Sequence, residues 1–189
     1  MAKLFFRYSA MNAGKSTSLL QIAYNYEEQG QRVTLYTAGL DDRSGIGCIA
    51  SRLGLQRQAK VFDTTTDFWD ALQTETQLAC VLIDESQFLT AEQVRALHRL
   101  ANTRDLPVIC FGLRSDFLGN PFPGAAQLLT LADDIEEIKT ICACGRKATM
   151  NIRLDDQGKR AHQGEQIQIG GNNRYQQVCA RCFYEDAQG

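Results

Sequence analysis

The sequence predicts an α/β protein in which an open parallel sheet flanked by helices is followed by a small metal-binding domain. Three observations carry that expectation. Short apolar runs alternate with segments of helical spacing, a Gly-Lys-Ser turn separates the first run from the first helix, and four of the seven cysteines fall as two close pairs near the C-terminus. Alternating strand and helix with short links gives a parallel sheet covered on both faces.

With 189 residues the chain suits one ordinary α/β domain with a small appendage. A net charge of −2 and a pI near 5.7 argue against a nucleic-acid or anionic-membrane surface as the main partner and favour small-molecule chemistry. Met1-Ala2-Lys3 runs straight into the first strand without a signal-peptide pattern, and no apolar run approaches the length of a membrane span, so a cytoplasmic protein is expected. A reducing compartment disfavours disulfides. Cys48, Cys80 and Cys110 then read as small hydrophobes.

The elements follow in order. Leu4-Phe5-Phe6 opens the first strand, and the helix from about Ser16 to Glu28 ends at Gly30, a residue suited to the position after a helix. Arg32 to Tyr36 is a second strand. Residues 38–54 hold four glycines, the pair Asp41-Asp42, Arg43 and Arg52, and read as a long mobile loop, either a lid or a solvated surface segment. A strand is expected over Ala59 to Phe62, then a helix carrying Phe68, Trp69 and Leu72 with N-cap candidates at 63–66. Cys80 to Ile83 is a continuous apolar run ending in Asp84 and Glu85. Such runs mark strands buried on both faces, and ligands collect at their carboxyl ends. Thr90 to Asn102 forms a helix with Thr90 and Gln93 spaced as a capping box, and 106–112 is the next buried strand. A helix over Gly124 to Ala132 and a strand over Ile135 to Ile141 complete the first domain, residues 1–141. Residues 142–189 form the second, with small antiparallel strands at Ala148 to Leu154 and Gln166 to Ile169 around a turn at 155–158 and a Gly-rich loop.

Two constellations carry chemistry. The stretch Ser9-Ala10-Met11-Asn12-Ala13-Gly14-Lys15-Ser16 fits the phosphate-loop pattern G-x-x-x-x-G-K-[ST] except that Ser9 stands for its first glycine. Backbone N–H groups and the following helix terminus would wrap a polyphosphate, Lys15 would add charge, and Ser16 would hold Mg²⁺. Asp84, closing an apolar strand downstream, is the second element of a P-loop NTPase-type sheet and would face the same Mg²⁺. Glu85 beside it can take a proton from an attacking oxygen, either water or a substrate hydroxyl. The absence of Asn-Lys-x-Asp and of tandem domains disfavours a switch GTPase or a motor, so transfer to a small hydroxyl acceptor fits best. The second constellation, Cys142, Cys144, Cys179 and Cys182, matches a structural Zn²⁺ site, with free thiols or a redox pair as alternatives. Phe88, Leu113, Phe117, Phe122 and Tyr175 are possible base contacts or plain core residues.

Together these pieces resemble the type II thymidine kinases, the cytosolic zinc-containing family, in its bacterial form. The carriers are the loop 9–16, Asp41-Asp42-Arg43, Asp84-Glu85-Ser86-Gln87-Phe88, Phe117 with Pro121-Phe122, the cysteine pairs, and Ile169-Gly170-Gly171-Asn172-Asn173-Arg174-Tyr175. The resemblance implies transfer of the γ-phosphoryl of ATP to the 5′-hydroxyl of thymidine or deoxyuridine, giving dTMP and ADP in nucleotide salvage for DNA synthesis. Glu85 would be the catalytic base. Residues 9–16, Arg43, Asp84 and Gln87 would serve ATP, with Ser16 and Asp84 on Mg²⁺. Met11, Phe88, Leu113, Phe117, Phe122, Ile169, Gly170, Gly171 and Tyr175 would line the nucleoside site, the Gly170-Gly171 segment being a lasso loop within the zinc-binding domain. A homotetramer with feedback inhibition by dTTP is also implied. Two departures stand out: Ser9 in the loop, and a Cys142/Cys144 spacing one residue short of the commoner form. Asn151 falls near the position that contacts the thymine methyl, which bears on selectivity between thymidine and deoxyuridine. Two rival classes remain, a nucleotide-dependent binding module without a small substrate and a zinc-knuckle nucleic-acid protein. The second lacks the Lys/Arg cluster it would need.

Overall fold

A computed structural model of the chain describes residues 2–40, 45–167 and 174–185. Its elements run β1 (Leu4–Ser9), α1 (Lys15–Glu28), β2 (Arg32–Ala38), β3 (Cys48–Ala50), β4 (Gln56–Gln58), β5 (Lys60–Phe62), α2 (Phe68–Gln73) and β6 (Leu78–Ile83). A single 3-10 turn, Ser86–Phe88, leads to α3 (Ala91–Arg104), β7 (Val108–Leu113), α4 (Pro123–Leu131) and β8 (Asp134–Glu137). The remainder is β9 (Thr140–Ile141), β10 (Lys147–Ala148), β11 (Met150–Arg153), β12 (Tyr175–Val178) and α5 (Ala180–Glu185). Six strands form one sheet in the order β5-β2-β6-β7-β1-β8, and every neighbouring pair in it is parallel. The parallel sheet with flanking helices is the α/β architecture the alternating pattern predicts.

The apolar runs are continuous because the central strands bury both faces. In β6, Val81 and Ile83 join Val108 and Cys110 of β7 beneath α3 and α4, whose Val94, Leu97, Leu100, Ala125 and Leu128 complete that layer. The alternate residues Cys80, Leu82, Ile109 and Phe111 meet Leu19, Leu20 and Ala23 of α1 on the opposite face. α3 starts at Thr90 with the expected capping box, both reciprocal hydrogen bonds being made with Gln93. A third, smaller cluster joins Ala148, Ile152, Val178, Cys142, Cys179 and Phe183 to Ala10 of the phosphate loop.

Several expectations are corrected. Part of the 38–54 stretch is ordered as the β3–β4 hairpin, because Ile49 is buried against α1 and Arg57 pairs with Glu27 on that helix. The strand expected over 135–141 is two, because β8 runs out of partner where β1 reaches the loop: Ile138 N–H donates to the Tyr8 carbonyl, and Thr140–Ile141 then pairs with β10. α2 is capped by Asp67, whose side chain accepts from Asp70 N–H, whereas Asp63 is spent on a turn with Thr65 and Thr66. Ala148 to Leu154 divides into β10 and β11, with Thr149 N–H donating to the Val178 carbonyl at the break. β11 pairs with β12, while the strand expected over 166–169 lies partly outside the described residues. The Gln166 amide turns instead to Asp116 and the Pro121 carbonyl.

Candidate active site

The carboxyl end of β1 delivers the chain into a tight loop. Asn12 and Gly14 take left-handed φ values of 61° and 83°, and Gly14 begins α1 without any side-chain cap, so no side chain competes for the helix's first amides. The Lys15 ammonium lies back over the loop, donating to Ser9 Oγ at 3.0 Å and to the Ala10 carbonyl at 3.3 Å. Ser9 Oγ in turn donates to Ala10 O at 2.6 Å. The residue that departs from the glycine pattern therefore has a task of its own, holding the lysine that would meet a phosphate.

Opposite stands the end of β6. Ser16 Oγ donates to Asp84 Oδ2 at 2.8 Å, and the Glu85 backbone N–H donates to Oδ1 at 3.0 Å. Burial, reinforced by the neighbouring Glu85 charge, pushes the Asp84 carboxyl up to about 6. Between the ordinary value of 3.8 and that figure, the folded chain holds a proton that the unfolded chain has lost, so stability falls as pH rises through the window and levels off above it. Asp84→Asn is therefore expected to raise the Tm of the Mg²⁺-free, nucleotide-free protein by roughly 5 °C at pH 8 and by much less at pH 4.5. A Tm difference indifferent to pH would remove that account of the carboxyl.

Glu85 itself adopts φ 52°, ψ 36°, directly before the 3-10 turn. Gln87 Nε2 donates to Glu85 Oε2 at 2.5 Å, and Gln87 Oε1 accepts from Leu113 N–H at 3.0 Å. A Cβ on Gly112 would stand 2.8 Å from Gln87 Oε1 and 2.6 Å from Ser86 Oγ, so only glycine leaves room for this bridge. A cleft of about 590 Å³ opens between these parts. It is lined by residues 11–18, Thr37, residues 48–53 of the β3–β4 hairpin, Asp84, Glu85 and Leu113.

The other sequence-derived candidates distribute as follows. Ser9 and Ala10 are buried under the loop, and Gln87 is buried behind Glu85 rather than along the cleft. Phe88 and Phe122 meet edge to face at 5.9 Å within the main core, Phe117 is buried, and Tyr175 is half-buried on β12. Arg43, Ile169, Gly170 and Gly171 lie outside the described residues. Residues 48–53 line the cleft as the lid reading of 38–54 allows, but sequence reasoning missed that they do so as part of a hairpin. It also missed the bond from Met11 N–H to Asn151 Oδ1 at 2.8 Å, which ties the phosphate loop to β11 across 140 positions. No local spacing could signal a contact that long.

The four C-terminal cysteines converge, with Sγ atoms all within 4.8 Å of one another and Cys144 and Cys179 at 3.6 Å. A tetrahedral zinc with Zn–S bonds near 2.3 Å requires S···S separations of about 3.8 Å, so the donor set fits a metal ion. Backbone N–H donation from Arg146, then S–H donation from the neighbouring thiols, holds Cys144 down at about 6, while donation to Cys144 pushes Cys182 up to about 12. The Cys-x-Cys spacing is no obstacle, since Cys142 is within reach of the other three.

A loop of phosphate-binding pattern and a strand-end carboxylate pair on one parallel sheet, with a four-thiol cluster beside the small C-terminal sheets, narrow the choice of relatives, and comparison with known proteins completes it. The family model described as thymidine kinase matches residues 2–183. The chain belongs to the thymidine kinase family. It is 61% identical over 186 residues to a thymidine kinase of Chromobacterium violaceum, covering 98% of this chain and 100% of that one. A thymidine kinase of Albidiferax ferrireducens is 59% identical over 189 residues, covering 100% and 95%. One from Yersinia pseudotuberculosis is 52% identical over 188 residues, covering 98% and 96%. Membership makes the chain an enzyme, a kinase. Among the described residues, no helix is long and apolar enough to cross a membrane.

Proposed function

We propose that the chain transfers the γ-phosphoryl group of ATP to the 5′-hydroxyl of thymidine, or of deoxyuridine, yielding dTMP and ADP. The observation that supports this most is the Ser16 to Asp84 hydrogen bond, which joins the phosphate loop to the strand end and leaves Glu85 on the wall of the same cleft. In this reading the amides of residues 9–16 and the Lys15 ammonium bind the β- and γ-phosphates, and Arg43 adds a second cation. Ser16 and Asp84 are the residues that would hold Mg²⁺, whose charge screens the phosphates as negative charge builds. Glu85 accepts the 5′-hydroxyl proton as the oxygen attacks the γ-phosphorus and the bond to the β–γ bridging oxygen breaks, the bridging oxygen leaving on ADP.

Gln87 serves the base here by orienting its carboxylate, in addition to any contact with ATP. Met11, Leu113, Phe88, Phe117, Phe122, Tyr175 and the 169–171 segment make up the nucleoside site. Asn151, committed to Met11 N–H and to the Ser115 carbonyl, bears on selectivity at the thymine methyl. Zn²⁺ on Cys142, Cys144, Cys179 and Cys182 would staple together the C-terminal domain, residues 142–189, which follows the kinase domain, residues 1–141. A cytoplasmic homotetramer inhibited by dTTP follows from the same family resemblance. The decisive assay combines the protein with ATP, Mg²⁺ and thymidine, and ADP release that depends on the nucleoside is the expected result. Release indifferent to nucleoside would overturn the reading and favour a nucleotide-driven binding module.

A further inference from the structure

Arg153, at the end of β11, is an arginine buried to 5% exposure, and its guanidinium is held by two backbone carbonyls and an aromatic face. Its guanidinium carbon lies 3.7 Å from the centre of the Phe117 ring, Nη1 donates to the Glu165 carbonyl at 2.8 Å, and Nη2 donates to the Gln163 carbonyl at 3.2 Å. Its own carbonyl accepts from Ala161 N–H, and across the β11–β12 pair it stands opposite Tyr175. Gly164 between the two carbonyls has φ 129°, and a Cβ there would fall 2.2 Å from Nη2, so the strand of backbone 163–165 is shaped around this one side chain. A second tie runs parallel to it: Gln166 Nε2 donates to Asp116 Oδ2 at 3.0 Å, next to Phe117 in sequence, while Asp116 Oδ1 accepts from Leu118 and Asn120 N–H.

Burying an arginine is costly unless each donor is used, and a planar fork stacked on an aromatic face is the arrangement that repays it. Here the fork joins two groups far apart in sequence, the aromatic residue after β7 and the 163–165 segment, and does so from the strand that pairs with Tyr175. No part of it reaches the phosphate loop, Asp84 or Glu85. We propose that Arg153 is a positioning residue for the nucleoside half of the site: it fixes the Phe117 ring and the 163–166 segment relative to Tyr175, and so governs the thymidine KM rather than the phosphoryl-transfer step. This rests on the nucleoside site assigned under Proposed function.

Arg153→Met keeps much of the volume and removes both donors and the charge, whereas Arg153→Lys keeps the charge without the fork. Gly164→Ala displaces the guanidinium without altering Arg153. The expected result is a thymidine KM raised roughly tenfold in Arg153→Met and Gly164→Ala and about threefold in Arg153→Lys, with kcat at saturating thymidine and the KM for ATP within about threefold of the parent. Tm and metal content are measured alongside. An unchanged thymidine KM in Arg153→Met overturns the proposal, as does a fall in kcat matched by a rise in the KM for ATP. Should Arg153→Met fail to fold, Gly164→Ala decides by the same criterion. A parent enzyme without nucleoside-dependent turnover would sink the reading of the site and this inference with it, whereas an active parent with unaffected variants sinks this inference alone.

Discussion

Glu85→Gln is expected to bind ATP within about threefold of the parent while kcat falls by roughly 10²-fold or more, the scale of losing a general base. The amide is isosteric with the carboxylate and can still accept from Gln87 Nε2, so the bridge from Gln87 to the Leu113 backbone survives. The left-handed backbone at position 85 is unaltered, and so is the hydrogen bond from its N–H to Asp84. What the variant cannot do is take a proton. A side chain held this firmly also argues for a catalytic role. A left-handed non-glycine residue costs on the order of 1 kcal/mol and persists only where the surroundings enforce it. Here the enforcement comes from the 3-10 turn, which is pressed between Gly112 and Gly124, each too close to the turn to carry a Cβ without a clash. Steady-state rates together with calorimetric ATP binding separate the two effects. Turnover like that of the parent would remove Glu85 from the base role, and a parallel loss of ATP affinity would point to a displaced phosphate loop instead.

The parts of this molecule that could be read from its sequence are those in which local chemistry and global position agree. The run from Cys80 to Ile83 is apolar at every position because both faces of the sheet are covered, and its carboxyl end is where a parallel sheet exposes ligand-binding residues. Thr90 and Gln93 cap α3 through contacts three residues apart, which a spacing rule captures in full. The 38–54 stretch reads otherwise because its glycines and charges describe a loop, while the hairpin that starts within it at β3 and returns at β4 is stabilised by the burial of Ile49 and the pairing of Arg57 with Glu27, one a tertiary contact and the other an ion pair 30 positions apart. Gln87 is the sharper case. Its place in the acidic motif suggests a ligand contact, yet the room left by Gly112 admits its side chain to the interior, where it serves Glu85. Ser9 likewise looks like a defect in a glycine pattern until the Lys15 ammonium is placed against its hydroxyl.

Loss of one thiol should reach well beyond the four-cysteine cluster. Cys179→Ser is expected to bring bound zinc far below one equivalent, lower Tm by roughly 10 °C or more, and raise the thymidine KM, because structural zinc contributes its binding free energy directly to folding. The packing says why the damage spreads. Apart from Cys142 and Cys179, the small cluster has among the described residues only Ala148, Ile152, Val178, Phe183 and Ala10 as its buried apolar members, too few to hold two-stranded ladders against water. Cys179 follows β12 immediately, β12 pairs with β11, and β11 carries both Asn151, which receives Met11 N–H, and Arg153, which seats the 163–165 segment. Releasing β12 is thus expected to loosen the Met11 amide and the proposed nucleoside wall together, though none of the four clustered cysteines lines the cleft. Metal analysis after dialysis, thermal melts and the thymidine KM provide the three readouts. Full zinc occupancy in Cys179→Ser would discard the four-thiolate site, and full zinc loss with an unmoved Tm and KM would reduce the metal to a bystander.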